Sequence, residues 1–335
     1  MGRITAETVK NERDGSVLAL DLGASRTRAA VVDGTGSVVA RTDRETRRAA
    51  GPEAVLADAV AMLRAVLGQA PGGLQSVDAI GVSAPGPLDA VRGVLVEPPN
   101  LGAAFRNVPI AEPLSIALSL PVVVERDTNV AALAEWQFGA ARGVTDFIYV
   151  TISTGIGGGI VCDGRPLLGA DGAAGELGHL VVDLDGPPCG CGARGHLEAV
   201  SSGTGIAGAA EAAIEAGSAP GLETRRRAAG RALDARDVAV AADEGDPEAE
   251  RIMDRARRGF AESCVALANV FNPELIVVGG SVARAQGERW LEPARRRVAE
   301  VAFRIPRERL RILPAALGDD VSLVGALPLV RRRRG

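Results

Sequence analysis

Apolar positions along this chain follow two rhythms. Short runs that are continuous or alternate with polar residues predict strands: Val17–Asp21, Thr27–Asp33, Ser37–Thr42, Val77–Val82, Val122–Glu125, Phe147–Thr151, Ile160–Cys162, Leu275–Val278 and Arg311–Pro314. Longer stretches with apolar residues at helical spacing predict helices over Pro52–Leu67, Ile110–Leu118, Asp127–Phe138, Gly203–Ala216, Glu250–Phe271, Arg289–Ala299 and Ser322–Leu329. The charged region from Leu222 to Glu250 also reads as helical. Glycines punctuate the strands at Gly23-Ala-Ser25, Gly34-Thr-Gly36, Gly155-Ile-Gly157-Gly158-Gly159 and Gly279-Gly280. The third of these reads as one tight turn.

The order of elements recurs. Each half opens with a strand, a glycine turn and a second strand, which suggests a duplicated architecture. Strands alternating with helices give class α/β. The repeat puts the boundary near Asp127. Residues 1–126, closed by a C-terminal helix at 321–335, form one expected domain, and residues 127–320 the other. A cleft between the halves is the expected ligand site.

Composition narrows the function classes. The 335 residues are 47% hydrophobic but only 3% aromatic, so the core must be aliphatic. A net charge of −4 gives no nucleic-acid footprint, and the Arg331–Arg334 run reads as a solvated tail. Met1–Asp14 is polar and does not resemble a signal peptide. No apolar stretch reaches the roughly 18 residues of a membrane span. Four cysteines in so long a chain do not form a disulfide framework. Cys162 and Cys264 read as buried thiols, and a reducing cytoplasm is the expected compartment.

The chemistry-bearing residues are concentrated. Both histidines of the chain and two of its four cysteines fall within Glu176-Leu-Gly-His179 and Cys189-Gly-Cys191-Gly-Ala-Arg-Gly-His196-Leu-Glu198. His179, Cys189, Cys191 and His196 are the sulfur and imidazole ligands that a tetrahedral, structural Zn²⁺ site needs. Glu176 and Glu198 bracket them, either to accept hydrogen bonds from a polyol or simply as solvated charges.

Two glycine turns suit phosphates. Asp21-Leu-Gly23-Ala-Ser25-Arg26-Thr27 joins two strands, with hydroxyls at Ser25 and Thr27 and a carboxylate, Asp21, that could hold Mg²⁺ through water. It also fits an ordinary hairpin. In Thr151-Ile-Ser153-Thr154-Gly155-Ile-Gly157-Gly158-Gly159, the glycine run exceeds what a hairpin requires. Gly279-Gly280 ends a buried strand and suits a nucleotide or any strand-to-helix turn. No P-loop is present, and the dinucleotide-binding glycine pattern lacks its strand–helix context. Asp127 follows a short strand, where it reads equally as a catalytic base or as a helix N-cap.

Gly175-Glu176-Leu-Gly-His179 followed by Cys-x-Cys-Gly-x-x-Gly-x-x-Glu resembles the ROK family, and the likeness runs from about Val17 to Leu329. That resemblance implies an actin-like ATPase (ribonuclease H-like) fold with two domains around a central cleft. It implies ATP- and Mg²⁺-dependent phosphorylation of a hexose at its 6-hydroxyl, glucose first. Other sugars of the family are N-acetylmannosamine, N-acetylglucosamine, fructose and allose, and polyphosphate is an alternative donor. Asp127 would then be the base, and Asn100, Glu176, His179 and Glu198 would contact the sugar. Thr154, Gly155, Gly157 and Gly158 would hold phosphates together with the first turn, and Gly279 and Gly280 would lie at the adenosine. The family habit is a homodimer or homotetramer, with dimerisation helices in the second domain.

Three positions depart from the family pattern. The first turn usually reads Asp-x-Gly-Gly-Thr-Lys; here Ser25 and Arg26 keep the hydroxyl and the cation. The last zinc ligand is usually cysteine, here His196. The residue before the base is usually asparagine; Arg126 instead offers a planar cation to the sugar. The family also includes sugar-sensing repressors. Their DNA-reading helix bundle is not expected here, since only 16 residues precede the first predicted strand.

Overall fold

The computed structural model describes residues 15–70 and 72–334. The polar start, Met1–Asp14, lies outside them. The chain divides into two compact units, residues 1–130 with 320–335, and residues 131–319.

In the first unit, β1 (Ser16–Leu22), β2 (Arg26–Val32), β3 (Val38–Glu45), α1 (Pro52–Leu67) and β4 (Val77–Ala84) precede three two-residue strands, β5 (Leu88–Asp89), β6 (Val94–Leu95) and β7 (Val108–Pro109). Then come α2 (Ala111–Leu118), β8 (Val122–Arg126) and α3 (Asp127–Phe138), within which the unit boundary falls. The main sheet has the order β3-β2-β1-β4-β8. Its β1–β2 and β2–β3 pairs are antiparallel, and its β1–β4 and β4–β8 pairs are parallel. Leu18, Leu20, Ile80 and Val82 of this sheet are buried with Met62 and Leu63 of α1 and Leu114 of α2.

The second unit repeats this plan. It contains β9 (Phe147–Ile152), β10 (Ile156–Cys162), β11 (Arg165–Pro166), α4 (Leu197–Ser201), α5 (Gly203–Glu215), α6 (Pro220–Ala229), α7 (Ala235–Asp243), α8 (Pro247–Phe271), β12 (Leu275–Gly279), α9 (Ser281–Gln286), α10 (Glu288–Val301), α11 (Arg304–Arg309) and β13 (Arg311–Pro314). Its sheet has the order β11-β10-β9-β12-β13, again antiparallel on the hairpin side and parallel on the other. Ile148, Val150, Ile276 and Val278 pack with Phe260 of α8 and with Trp290 and Leu291 of α10. The longest helix, α8, starts sharply because Asp246 accepts from the amides of Glu248 and Ala249, with Pro247 in its first turn. It stops at Asn272, which is left-handed.

The chain closes with α12 (Val321–Val324) and α13 (Ala326–Arg334). The single final helix expected over Ser322–Leu329 is thus two, parted at Gly325. A Cβ there would stand 2.3 Å from the Val130 carbonyl oxygen, so the backbone approaches too closely for any other residue. The charged stretch after Leu222 is helical, as α6 and α7, and a capping box between Asp234 and Asp237 starts the latter.

Two expectations fail. Gly157, Gly158 and Gly159 are not turn residues; β10 begins at Ile156, and the turn is only Ser153–Gly155. Cys162 is exposed at the end of β10, opposite Arg165 of the edge strand β11, whereas Cys264 is buried in α8. Burial pushes the Cys264 thiol pKa up, as an inert core thiol requires. Among the described residues no helix is long and apolar enough to cross a membrane.

Candidate active site and metal centre

The first glycine turn is held by its own hairpin. Antiparallel register sets Asp21 opposite Arg28. Arg28 donates to Asp21 Oδ2 from Nε at 2.9 Å and from Nη2 at 2.6 Å, while Ser83 Oγ donates to Oδ1 at 3.0 Å. Asp21 is buried, and both its oxygens are engaged. A magnesium ion would therefore meet this carboxylate through its hydration shell, sharing it with the guanidinium.

Thr46 closes the turn: its Oγ1 donates to the Gly23 carbonyl at 2.7 Å, and its amide donates to the Ser25 carbonyl at 3.0 Å. Thr27 is buried, and its hydroxyl pairs with Thr46 at 2.8 Å, so it braces the turn from inside. Ser25 and Arg26 are exposed, and Arg26 pairs with Asp43 at 3.2 Å. The amides of Ala24 and Ser25 have no acceptor among the described residues, which leaves two adjacent donors for an anion.

Parallel register places Ser83 beside Glu125, and Ala84 beside Arg126. Strand alternation then puts Glu125 on the face of Asp21 and Ser83. Arg126 falls on the face of Val124 and Ala84, which belong to the core. Arg126 is only 4% exposed. Glu125 accepts from the Arg126 amide at 2.9 Å and from Asn129 Nδ2 at 3.0 Å, fixing the strand-to-helix corner. Asp127 stands at that corner. It is the one exposed residue between Val124 and Glu135. Its Oδ1 accepts from the Thr128 amide at 2.7 Å, a bond to the next residue within the first turn of α3 rather than an N-cap bond. Asn100 lies in an exposed loop, and its carbonyl accepts from Arg48 Nη1 at 2.8 Å.

In the second unit, His179, Cys189, Cys191 and His196 each bring one ligand atom to within 4.8 Å of all the others. The two imidazole Nδ1 atoms are 3.2 Å apart. Cys191 Sγ is 3.3 Å from His196 Nδ1, and Cys189 Sγ is 3.9 Å from His179 Nδ1. Ligands at bonding distance from a tetrahedral zinc stand about 3.3–3.8 Å apart, so the group fits that ion. His196, the departure from the family pattern, converges with the other three. Two facing Nδ1 lone pairs need a proton or a cation between them. Burial raises the Cys189 thiol pKa, a cost that a bound cation would reverse.

This loop folds onto β10. A Cβ on Gly158 would lie 2.3 Å from Leu177 Cδ1, and one on Gly178 would lie 2.3 Å from the Ile156 carbonyl oxygen. Glu198 Oε2 accepts from the Ile156 amide at 2.9 Å and sits where a Gly155 Cβ would point. Thus Gly158 is bare because Leu177 covers it, and it is buried away from any phosphate. Gly157 lies in β10, paired with Thr151. Thr154 is exposed, and the amides of Thr154 and Gly155 have no acceptor among the described residues. Glu176 and His179 are exposed.

Gly279 ends β12 paired with Thr151, where a Cβ would meet the Tyr149 hydroxyl at 2.5 Å. Gly280 has φ +93° and presses on the Ile152 carbonyl. Next to it, the Ser281 amide donates to Ser153 Oγ at 3.0 Å.

Sequence reasoning passed over Arg28, Ser83 and Thr46. For Arg28 a signal existed: a tight hairpin register alone sets it across from Asp21. The others act through contacts that no local pattern encodes.

The sequence pattern of the ROK family matches residues 17–333. A glucokinase from Halalkalibacterium halodurans is 37% identical over 237 residues, 70% of this chain and 70% of its own. An N-acetylmannosamine kinase from Shigella flexneri is 33% identical over 317 residues, 94% of this chain and 98% of its own. Among solved structures, a ROK family glucokinase from Streptomyces griseus in complex with glucose and AMPPNP matches with a TM-score of 0.76 at 30% identity. That match covers 95% of this chain and 100% of that one.

Proposed function

The chain belongs to the ROK family, and from that premise we propose that it is an ATP-dependent sugar kinase that phosphorylates a hexose at its 6-hydroxyl, glucose first. The observation that carries the reading is Asp127, a lone exposed carboxylate on a stretch otherwise buried. Surrounding residues hold it still, as a base must be held. The two glycine turns each offer a pair of adjacent amides, in keeping with a nucleotide's phosphates.

In this mechanism Asp127 accepts the hydroxyl proton as that oxygen bonds to the γ-phosphorus and ADP departs with the electrons of the broken bond. Asn100, Glu176, His179 and Glu198 orient the sugar, whereas Arg126, expected there from the sequence, lies on the core face of its strand. The turn amides offset the phosphate charge, and the Mg²⁺ that accompanies ATP would supply further neutralisation. Zn²⁺, held by His179, Cys189, Cys191 and His196, would supply folding energy to the loop that carries Glu176 and Glu198, with no open position for catalysis.

A second reading, a kinase for N-acetylmannosamine, draws on the Shigella flexneri relative. A coupled ADP-release assay over glucose, N-acetylmannosamine, N-acetylglucosamine, fructose and allose separates the two. Asp127→Ala is expected to lower kcat at least about a thousandfold while sugar still binds. Undiminished turnover in that variant would remove the assignment. The same protein in size-exclusion chromatography with light scattering tests the expected dimer or tetramer.

A further inference from the structure

The second phosphate turn has little of its own to hold it. Ser281 holds Ser153 Oγ on one side, and one continuous run, residues 177–204, supplies the other contacts. Leu177 covers Gly158, and Gly178 presses on the Ile156 carbonyl. Glu198 takes the Ile156 amide at 2.9 Å. The Gly203 amide donates to the Ser153 carbonyl at 2.8 Å. Thr204 donates to the Thr154 carbonyl from its amide at 3.1 Å and from its hydroxyl at 2.9 Å.

The four-ligand cluster sits inside this run. Gly178 adjoins His179, and Glu198 is two residues past His196. The two arms are stitched together by a bridge between Val181 and His196 and by the Leu197 amide donating to the Leu180 carbonyl at 2.8 Å. A cation at the cluster would therefore fix both ends of the clamp at once.

We propose that Glu198 is a positioning residue for the nucleotide. Its carboxylate ties the metal loop to the turn Ser153–Ile156, so the cluster sets the geometry of the donor-phosphate amides at Thr154 and Gly155 even when no sugar is bound. This rests on the kinase reading but adds a role on the nucleotide side to a residue expected to serve only the sugar. A carboxylate accepting a backbone amide makes a charge-assisted bond, stronger than a neutral one. Its loss leaves a hairpin with no other side-chain acceptor at that amide.

The test measures MgADP binding by calorimetry, without sugar, in the metal-loaded protein and in its Glu198→Ala and Glu198→Gln variants. Backbone hydrogen exchange is followed in parallel. Glutamine keeps an acceptor for the Ile156 amide, whereas alanine does not. Expected results are about tenfold weaker MgADP binding in Glu198→Ala, binding within about threefold of the parent in Glu198→Gln, and faster exchange at residues 153–158 in the alanine variant. Zinc chelation of the unaltered protein should also speed exchange at 153–158 while leaving 22–26 unchanged.

Unaltered MgADP binding and exchange in Glu198→Ala would overturn the proposal and return Glu198 to the sugar alone. If the alanine variant does not fold, exchange in the chelated parent decides in the same way. If the parent binds no MgADP, the kinase reading fails, and the exchange result still decides the clamp.

Discussion

The hairpins β1–β2 and β9–β10 occupy equivalent places in two sheets of the same strand order, yet they are stabilised differently. The first carries its own support. Asp21 and Arg28 face each other across the strands, and Thr46 on the adjoining segment closes the loop. Its glycine is also explained from within, since a Cβ on Gly23 would meet the Arg26 carbonyl at 2.6 Å. The second has no charge pair and borrows its support from a loop that converges on four potential metal ligands. A repeated fold can thus conserve the position of a ligand-binding turn while changing what keeps it in shape. The first turn should depend on an ion pair, the second on a metal.

Breaking that pair should give the largest stability effect. Asp21 and Arg28 are mostly buried, with side chains 12% and 17% exposed. Removing one partner leaves a charge with poor solvation, so Asp21→Ala should lower stability by about 3 kcal/mol in denaturant unfolding. The loss should be the same with and without a zinc chelator. A chelator-dependent loss would merge the two turns into one mechanism.

A subtler difference lies in the glycines. Gly158→Ala forces a methyl group against Leu177 and should cost about 2 kcal/mol. Because the obstacle is a side chain, Leu177→Ala should absorb part of the cost, and the double variant should fall about 1 kcal/mol short of the summed losses. Gly23→Ala meets a backbone carbonyl, so adding Arg26→Ala should leave the two effects additive. Additivity at Gly158 as well would show that the metal loop does not press on β10.

Thr46→Val is the mildest break. It removes the hydrogen bonds to Gly23 and Thr27, an expected loss of about 1 kcal/mol by thermal unfolding. Exchange should quicken at 22–26 and stay unchanged at 153–158.

Much of the fold was legible because it is local. The period of apolar residues gave α1 and β13 to the residue and α8 to within one turn. The His/Cys group was legible for the same reason, since sulfur and imidazole at short spacing mark a potential metal site, and the structure brings the four side chains together. Asp127 could be located, but its spacing fits a cap or a base equally; in the structure it is exposed and begins α3 rather than preceding it. The glycine run was misread. A turn and a packing surface both select glycine, and composition cannot separate them. Cys162 was misread because strand propensity does not say which end of a strand is left exposed.

The sequence by itself determined the α/β alternation, the duplicated hairpins and the clustering of two histidines and two cysteines, since each is written in short-range spacing. Only the tertiary structure decided that Gly158 lies beneath Leu177, that Arg126 turns to the core face, and that Glu198 reaches back 42 positions to the Ile156 amide. Those facts depend on which surfaces meet after the chain has folded. A contact between distant segments leaves no period in the sequence, only a residue whose local reason is missing.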